Sequence, residues 1–281
     1  MATWYTLVDL LPFEWAEPGR MLFMKNALLA ILIVTPLFGL LSTMIVNNRM
    51  AFFSDALGHG AFTGIVIGAL AGLVEPLWAS LLFSTCFAVV VSLVKHKSRM
   101  SNDTVIGAFS SISVALGIFL ATFGGRGFAK MNRYLIGDLL SISPDEILVI
   151  GLVLLAVLVL WVFLLNRLVA LSIDTSLAGS RGVDVLGTDM LFTAVIAVVV
   201  TLSMSWVGLL VINAMLVLPA SIARNVTANL RAYTGVSLTV AVFAGIMGLI
   251  VSYEVGSVAG ATIVLILGIL FLLTFLRPMR D

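Results

Sequence analysis

Apolar residues in this chain come in long unbroken blocks, not in the alternation of a half-buried strand. Nine stretches, some only barely long enough, run near 22–46, 52–73, 77–94, 104–123, 147–166, 188–205, 207–223, 232–252 and 257–276. A bilayer core of about 30 Å takes about 20 helical residues at about 1.5 Å each. The pattern predicts an all-α, polytopic transmembrane helical bundle. The sixth and seventh stretches are short and meet at Trp206-Val207-Gly208. One of them is expected to be broken or partial, so the count is eight or nine. Residues 1–19 stand apart from the transmembrane domain of 20–281. They read as a short amphipathic segment at the membrane interface, with Trp4, Tyr5, Phe13 and Trp15 at headgroup level.

Composition agrees. Hydrophobic residues make up 61% and charged residues 10%, whereas soluble domains are about half apolar and about a quarter charged. The solvent for this surface is lipid. A net charge of +1 says nothing about nucleic acid, and no basic tail or patch supports such a partner, so none is expected. Asp9, Glu14 and Glu17 near the start argue against a cleaved signal peptide. The single Cys86 has no disulfide or metal-motif partner and is expected as a small core residue.

Charge placement orients the chain. With the N-terminus outside and nine crossings, the inner loops hold Arg49, Lys95, Lys97, Arg99, Arg167, Arg181, Arg224, Arg231, Arg277 and Arg280. Arg20, Lys25, Arg126, Lys130 and Arg133 fall outside, three of them in the loop 124–146. The excess of inner positive charge predicts N-out and C-in. In that outer loop Ser143 precedes Pro144 as a candidate N-cap. In the inner loop 167–187, Ser172, Asp174 and Thr175 are candidate caps of a short helix that Gly179 or Gly182 would end. An exposed ordered helix there implies a partner.

The second stretch, FFSDALGHGAFTGIVIGALAGL, is unlike the others. Gly60, Gly64, Gly68 and Gly72 recur every four residues, a smooth stripe read as helix packing. Asp55 and His59 are ionisable at membrane depth, which is costly and marks a cavity or pathway. Their i, i+4 spacing puts them on one face, with His59 about 15 Å in from Arg49. Spacing alone leaves three readings open: two ligands for a divalent first-row ion, a hydrogen-bonded pair without metal, or Asp55 capping its helix. Asn213 with Pro219 marks a kinked helix whose freed backbone groups need partners. Ser110, Ser111 and Ser113 are expected to bond across helices, and Met204 and Met215 to fill space. No GxxxxGK[ST] loop is present, so the chain does not itself hydrolyse ATP, and neither HExxH nor GxSxG marks an intramembrane hydrolase.

Taken together, four stretches carry a resemblance. RMAFFSDALGHGAFTG resembles the signature region of the permease subunits of bacterial zinc and manganese ABC importers, the ABC-3 family. DTVIGAFSSISVALG, RYLIGDLLSISPDEIL and VGLLVINAMLVLPASIAR are similar to further family segments in the same order. Ile136 replaces a usual Phe, and Tyr253-Glu254-Val255-Gly256-Ser257 lacks the family's proline. The resemblance runs from about residue 20 to the end. It implies a non-enzymatic permease with the ABC importer permease fold in the bacterial plasma membrane, working as a homodimer with two cytoplasmic ATPase subunits and an extracellular metal-binding protein. The transported ion is Zn2+ or Mn2+, and no cofactor is permanently bound. Asp55 and His59 fall on the family's Asp and His that face the metal path. Asp174, Thr175, Ser176, Leu177, Ala178, Gly179 and Gly182 fall on its coupling helix, which docks on the ATPase. The rivals are an ABC permease for a metal chelate such as cobalamin or a siderophore, a stand-alone secondary metal transporter, and a structural subunit with no path. No inverted repeat of the kind secondary transporters carry is visible.

Overall fold

The computed structural model describes residues 2–10, 12–19, 21–73, 75–123 and 137–276. Arg20, Arg126, Lys130, Arg133, Ile136, Arg277 and Arg280, used above for orientation or resemblance, lie outside the described residues.

A short helix α1 (Ala2–Val8) is followed by α2 (Leu22–Asn47), α3 (Phe53–Leu70), α4 (Leu77–Lys97) and α5 (Asn102–Thr122). Then come α6 (Pro144–Ile173), α7 (Thr175–Ser180), α8 (Val185–Val207), α9 (Leu209–Val226), α10 (Leu230–Val255) and α11 (Ala259–Thr274). Among the described residues, 8 helices, α2–α6 and α8–α10, are long and apolar enough to span a membrane, and α11 is shorter at 16 residues. The predicted stretches match these helices to within a few residues at most ends. The largest difference is α6, whose 30 residues extend about 45 Å, well beyond a bilayer core. Its start is fixed by Ser143. That hydroxyl accepts from the Glu146 amide while the Glu146 carboxylate accepts from the Ser143 amide, a complete capping box.

The predicted break at Trp206-Val207-Gly208 is a single residue. Gly208 ends α8 and begins α9 at φ 82° and ψ 150°, a region open essentially to glycine alone. Gly137 packs there so closely that a Cβ on it would lie 2.3 Å from the Gly208 nitrogen. Two full helices therefore meet with no loop.

The bundle divides around α2 and α3, the most buried of the spans. α2 packs on α10, α9 and α6, while α3 packs on α4, α5 and α8. Lipid offers helices no hydrophobic reason to associate, so close backbone approach and polar contacts do it. On the α2–α10 seam Ser237 Oγ donates to Gly39 O (2.8 Å), and Tyr233 Oη donates to Thr43 O (3.3 Å). On α3–α4 Ser80 Oγ donates to Ala61 O (2.7 Å), on α3–α5 Thr63 Oγ1 donates to Ser113 O (2.8 Å), and on α4–α8 Ser84 meets Thr201 (2.6 Å). Of the three serines expected to bond across helices, Ser113 does so. Ser111 instead donates back to Gly107 O of its own helix.

The glycines of α3 divide. Gly64 and Gly68 press on α4, where a Cβ would lie 2.5 Å from Ser80 Cα and 2.8 Å from Ala79 Cβ, and Gly60 faces Phe87 at 3.4 Å. Gly72 is not part of this surface. α3 ends at Leu70, and Gly72 turns the chain at φ 75° with none of the described residues within 4 Å of a Cβ. Gly64→Ala is expected to cost about 1–3 kcal/mol by overpacking, read as a lower thermal midpoint in detergent. Gly107→Ala, on a helix with open space around its Cβ, should be neutral or raise stability by up to about 1 kcal/mol.

Two expectations about single side chains fail. Cys86 is exposed on the outer surface of α4, not in the core. Trp15 is only 1% exposed, so it is buried in the protein and not offered to headgroups. The cause is a staple between the N-terminal segment and α2. Lys25, itself buried, pairs with Asp9 and donates to Glu17 O (3.1 Å), while Trp4 Nε1 donates to Lys25 O (2.9 Å). Tyr5 Oη donates to Asn26 Oδ1 (2.8 Å). Met204 and Met215 are buried as filler.

Candidate functional site

The connection from α2 to α3 is short and sharply turned. Arg49 takes the left-handed conformation (φ 55°), and the Met50 amide reaches back to Ile45 O (2.9 Å), closing the α2 end. α3 begins four residues after Arg49, so Asp55 lies in its first turn and His59 one turn deeper. Asp55 does not cap the helix, since no side-chain cap bond is made there. Its Oδ2 faces His59 Nε2 at 3.5 Å, longer than a good N–H···O bond. Both side chains are only half-buried, 45% exposed for Asp55 and 28% for His59. They are the ionisable residues of α3, whose other polar side chains, Ser54 and Thr63, are buried.

The other Asp55 oxygen is held by α9. Asn213 Nδ2 donates to Asp55 Oδ1 at 2.8 Å. α9 reaches this position because Gly58 has no side chain; a Cβ there would lie 1.8 Å from Leu209 Cδ1. Thus Gly58 meets Leu209, and one turn along each helix Asp55 meets Asn213. The sequence marked Asn213 as a polar residue in an apolar helix but did not say what it faces. The signal was its isolation between Leu209 and Leu218.

Chemically, the face offers one carboxylate oxygen and one imidazole nitrogen about a tetrahedral edge apart. For ligand bonds of about 2.0–2.1 Å that edge is about 3.3 Å. Among the described residues no group of three or more His, Cys, Asp and Glu gathers in one place. On this face a single chain therefore presents two such side chains, Asp55 and His59.

The second candidate region lies at the bundle end that carries the α2–α3 turn. Asp174 ends α6 and caps α7, accepting from the Ser176 and Leu177 amides at 2.7 and 3.0 Å. Of the three candidate caps Asp174 is therefore the one used. Ser172 stays in α6 and donates to Val169 O (2.8 Å), and Thr175 is the first α7 residue. Gly179 lies inside α7, and the chain turns out at Gly182 (φ 78°). Ala178 is buried against the bundle, whereas Leu177 is 47% exposed. Beside α7 opens a cavity of about 810 Å³, with Arg49, His96, Asp174 and Asp189 on its walls. Lys95 fixes its floor by donating to both Asp189 oxygens (3.1 Å), which ties α4 to α8.

The family model described as "ABC 3 transport family" matches residues 20–278. An uncharacterized membrane protein of Synechocystis is 34% identical over 90% of this chain and 89% of its own length. The high-affinity zinc uptake system membrane protein ZnuB of Haemophilus influenzae is 26% identical over 90% and 97%. The manganese import system permease protein ScaB of Streptococcus gordonii is 27% identical over 90% of both chains. Among solved structures, PsaBC from Streptococcus pneumoniae in complex with Fab aligns with a TM-score of 0.77 at 26% identity, covering 98% of this chain and 95% of that one.

Proposed function

The chain belongs to the ABC 3 transport family, as a transport permease and not an enzyme, and on that premise we propose that it is the membrane subunit of an ATP-driven importer of a divalent metal ion, zinc first and manganese second. The observation that carries the metal is the half-exposed pair Asp55 and His59 on one face of α3. Two relatives with zinc and manganese in their names support that choice.

One carboxylate and one imidazole are too few to hold an ion, but a site that loads and releases its cargo has to be incomplete in one state. Two copies meeting at a two-fold axis beside α3 supply two Asp and two His ligands, which favours a homodimer. Relative movement of the copies then makes and breaks the site, giving alternating access. The chain has no phosphate loop of its own, so ATP hydrolysis belongs to a separate ATPase, two copies per dimer, docked on the exposed side of α7. The N-terminus lies outside and the C-terminus in the cytoplasm of a bacterial plasma membrane. An extracellular binding protein delivers the ion, which is cargo and not a resident cofactor.

The test is ATPase stimulation in the reconstituted complex of permease, ATPase and binding protein. Free zinc or manganese should stimulate hydrolysis. Stimulation by cobalamin or an iron–siderophore alone would contradict the reading.

A further inference from the structure

Asn213 is the one polar residue between Leu209 and Leu218, and it uses its side chain in a lopsided way. Its Nδ2 donates to Asp55 Oδ1 at 2.8 Å, while among the described residues its own buried Oδ1 has no hydrogen-bond partner. An asparagine placed only to tie helices together would satisfy both ends, because a buried acceptor left alone is costly. The reverse orientation is worse, since it would set a carbonyl oxygen against a carboxylate oxygen at that same distance. Among the described residues, the amide is therefore held where it is by Asp55.

The consequence falls on the carboxylate. With Oδ1 occupied by the amide, Asp55 turns a single oxygen, Oδ2, toward His59 Nε2. The amide takes one Oδ1 lone pair and fixes the carboxylate plane, so one-oxygen binding through Oδ2 is favoured over chelation through both oxygens. If both oxygens were free the carboxylate could also chelate through two. One-oxygen binding, together with imidazole, suits zinc, which takes four nitrogen, oxygen or sulfur ligands in a tetrahedron. Manganese favours more oxygen ligands in an octahedral arrangement.

We propose that Asn213 is a positioning residue that sets metal choice, holding Asp55 to one-oxygen coordination and so favouring zinc over manganese. This rests on the reading of Asp55 and His59 as ligands of the passing ion. Removing the amide frees the second oxygen and moves the preference toward manganese, although Asn213 itself need not touch the ion.

The experiment uses the complete importer in proteoliposomes, with radiolabelled zinc and manganese supplied together. Asn213→Leu keeps the volume and removes the donor. The manganese-to-zinc uptake ratio should rise about tenfold, the lower end of what outer partners of metal ligands contribute. Asn213→Ala should move the ratio the same way and replaces the Leu variant if that one does not assemble with its ATPase. A purely structural role would lower uptake of both metals together. An unchanged ratio, or an equal loss of both metals, overturns the proposal. Asp55→Asn run alongside separates the two readings: if it loses uptake while the Asn213 variants keep the wild-type ratio, the ion site stands and the role of Asn213 falls. Wild-type uptake by Asp55→Asn removes the site itself.

Discussion

Asp55→Asn is expected to lower uptake of both zinc and manganese by about two orders of magnitude, with normal protein level and normal association with the ATPase. The substitution keeps size and shape but removes the negative charge, and an amide oxygen is a much poorer ligand than a carboxylate. Loss on the scale of about 10–100-fold accompanies even indirect damage to a metal site, so a lost ligand belongs at the upper end. The fold should tolerate the change because Asp55 is 45% exposed and caps nothing. His59→Ala should fall in the same direction. Uptake of radiolabelled ion by cells carrying each variant is the measurement, and wild-type uptake in both would take these residues off the path.

Leu177→Asp should uncouple the permease from its ATPase. Leu177 is the large apolar side chain that α7 leaves 47% exposed, while Ala178 beside it is buried. A charge at Leu177 should therefore leave the bundle intact and damage the proposed docking face. An anchoring side chain at such an interface is worth about 2 kcal/mol, or roughly thirtyfold in affinity. Co-purification of the ATPase should drop accordingly, and ion-stimulated hydrolysis should disappear. Retained co-purification would place the docking surface elsewhere. Ser180→Ala removes only a hydroxyl that donates to Leu177 O of the same turn and serves as the control.

The helices were legible because lipid imposes one rule on every crossing residue, and composition alone reveals it. The α7 cap was legible because Asp at a helix start has a local reason to be there. The interior positions of α3 were partly legible. Gly64 and Gly68 face α4, but the four-residue period also took in Gly72, which lies beyond the helix end, where a turn needs φ of 75°. A repeat does not show where its helix stops. Trp15 and Cys86 were misread for a shared reason. Burial depends on which neighbour covers a face, and Lys25 folding the N-terminal segment back onto α2 is a long-range event. The same limit hid the partner of Asp55. Asp55 and His59 share a helix face, so spacing paired them. Asn213 is 158 residues away from Asp55 and meets it only because Gly58 admits α9.

The proposed mechanism turns on an ion held between two copies of α3. The most direct measurement is anomalous diffraction at the zinc and manganese edges from crystals of the complete importer soaked in each ion. One peak is expected on the two-fold axis, within bonding distance of Asp55 and His59 from both copies and absent in Asp55→Asn. A peak bound away from α3, or one that persists in Asp55→Asn, would contradict it.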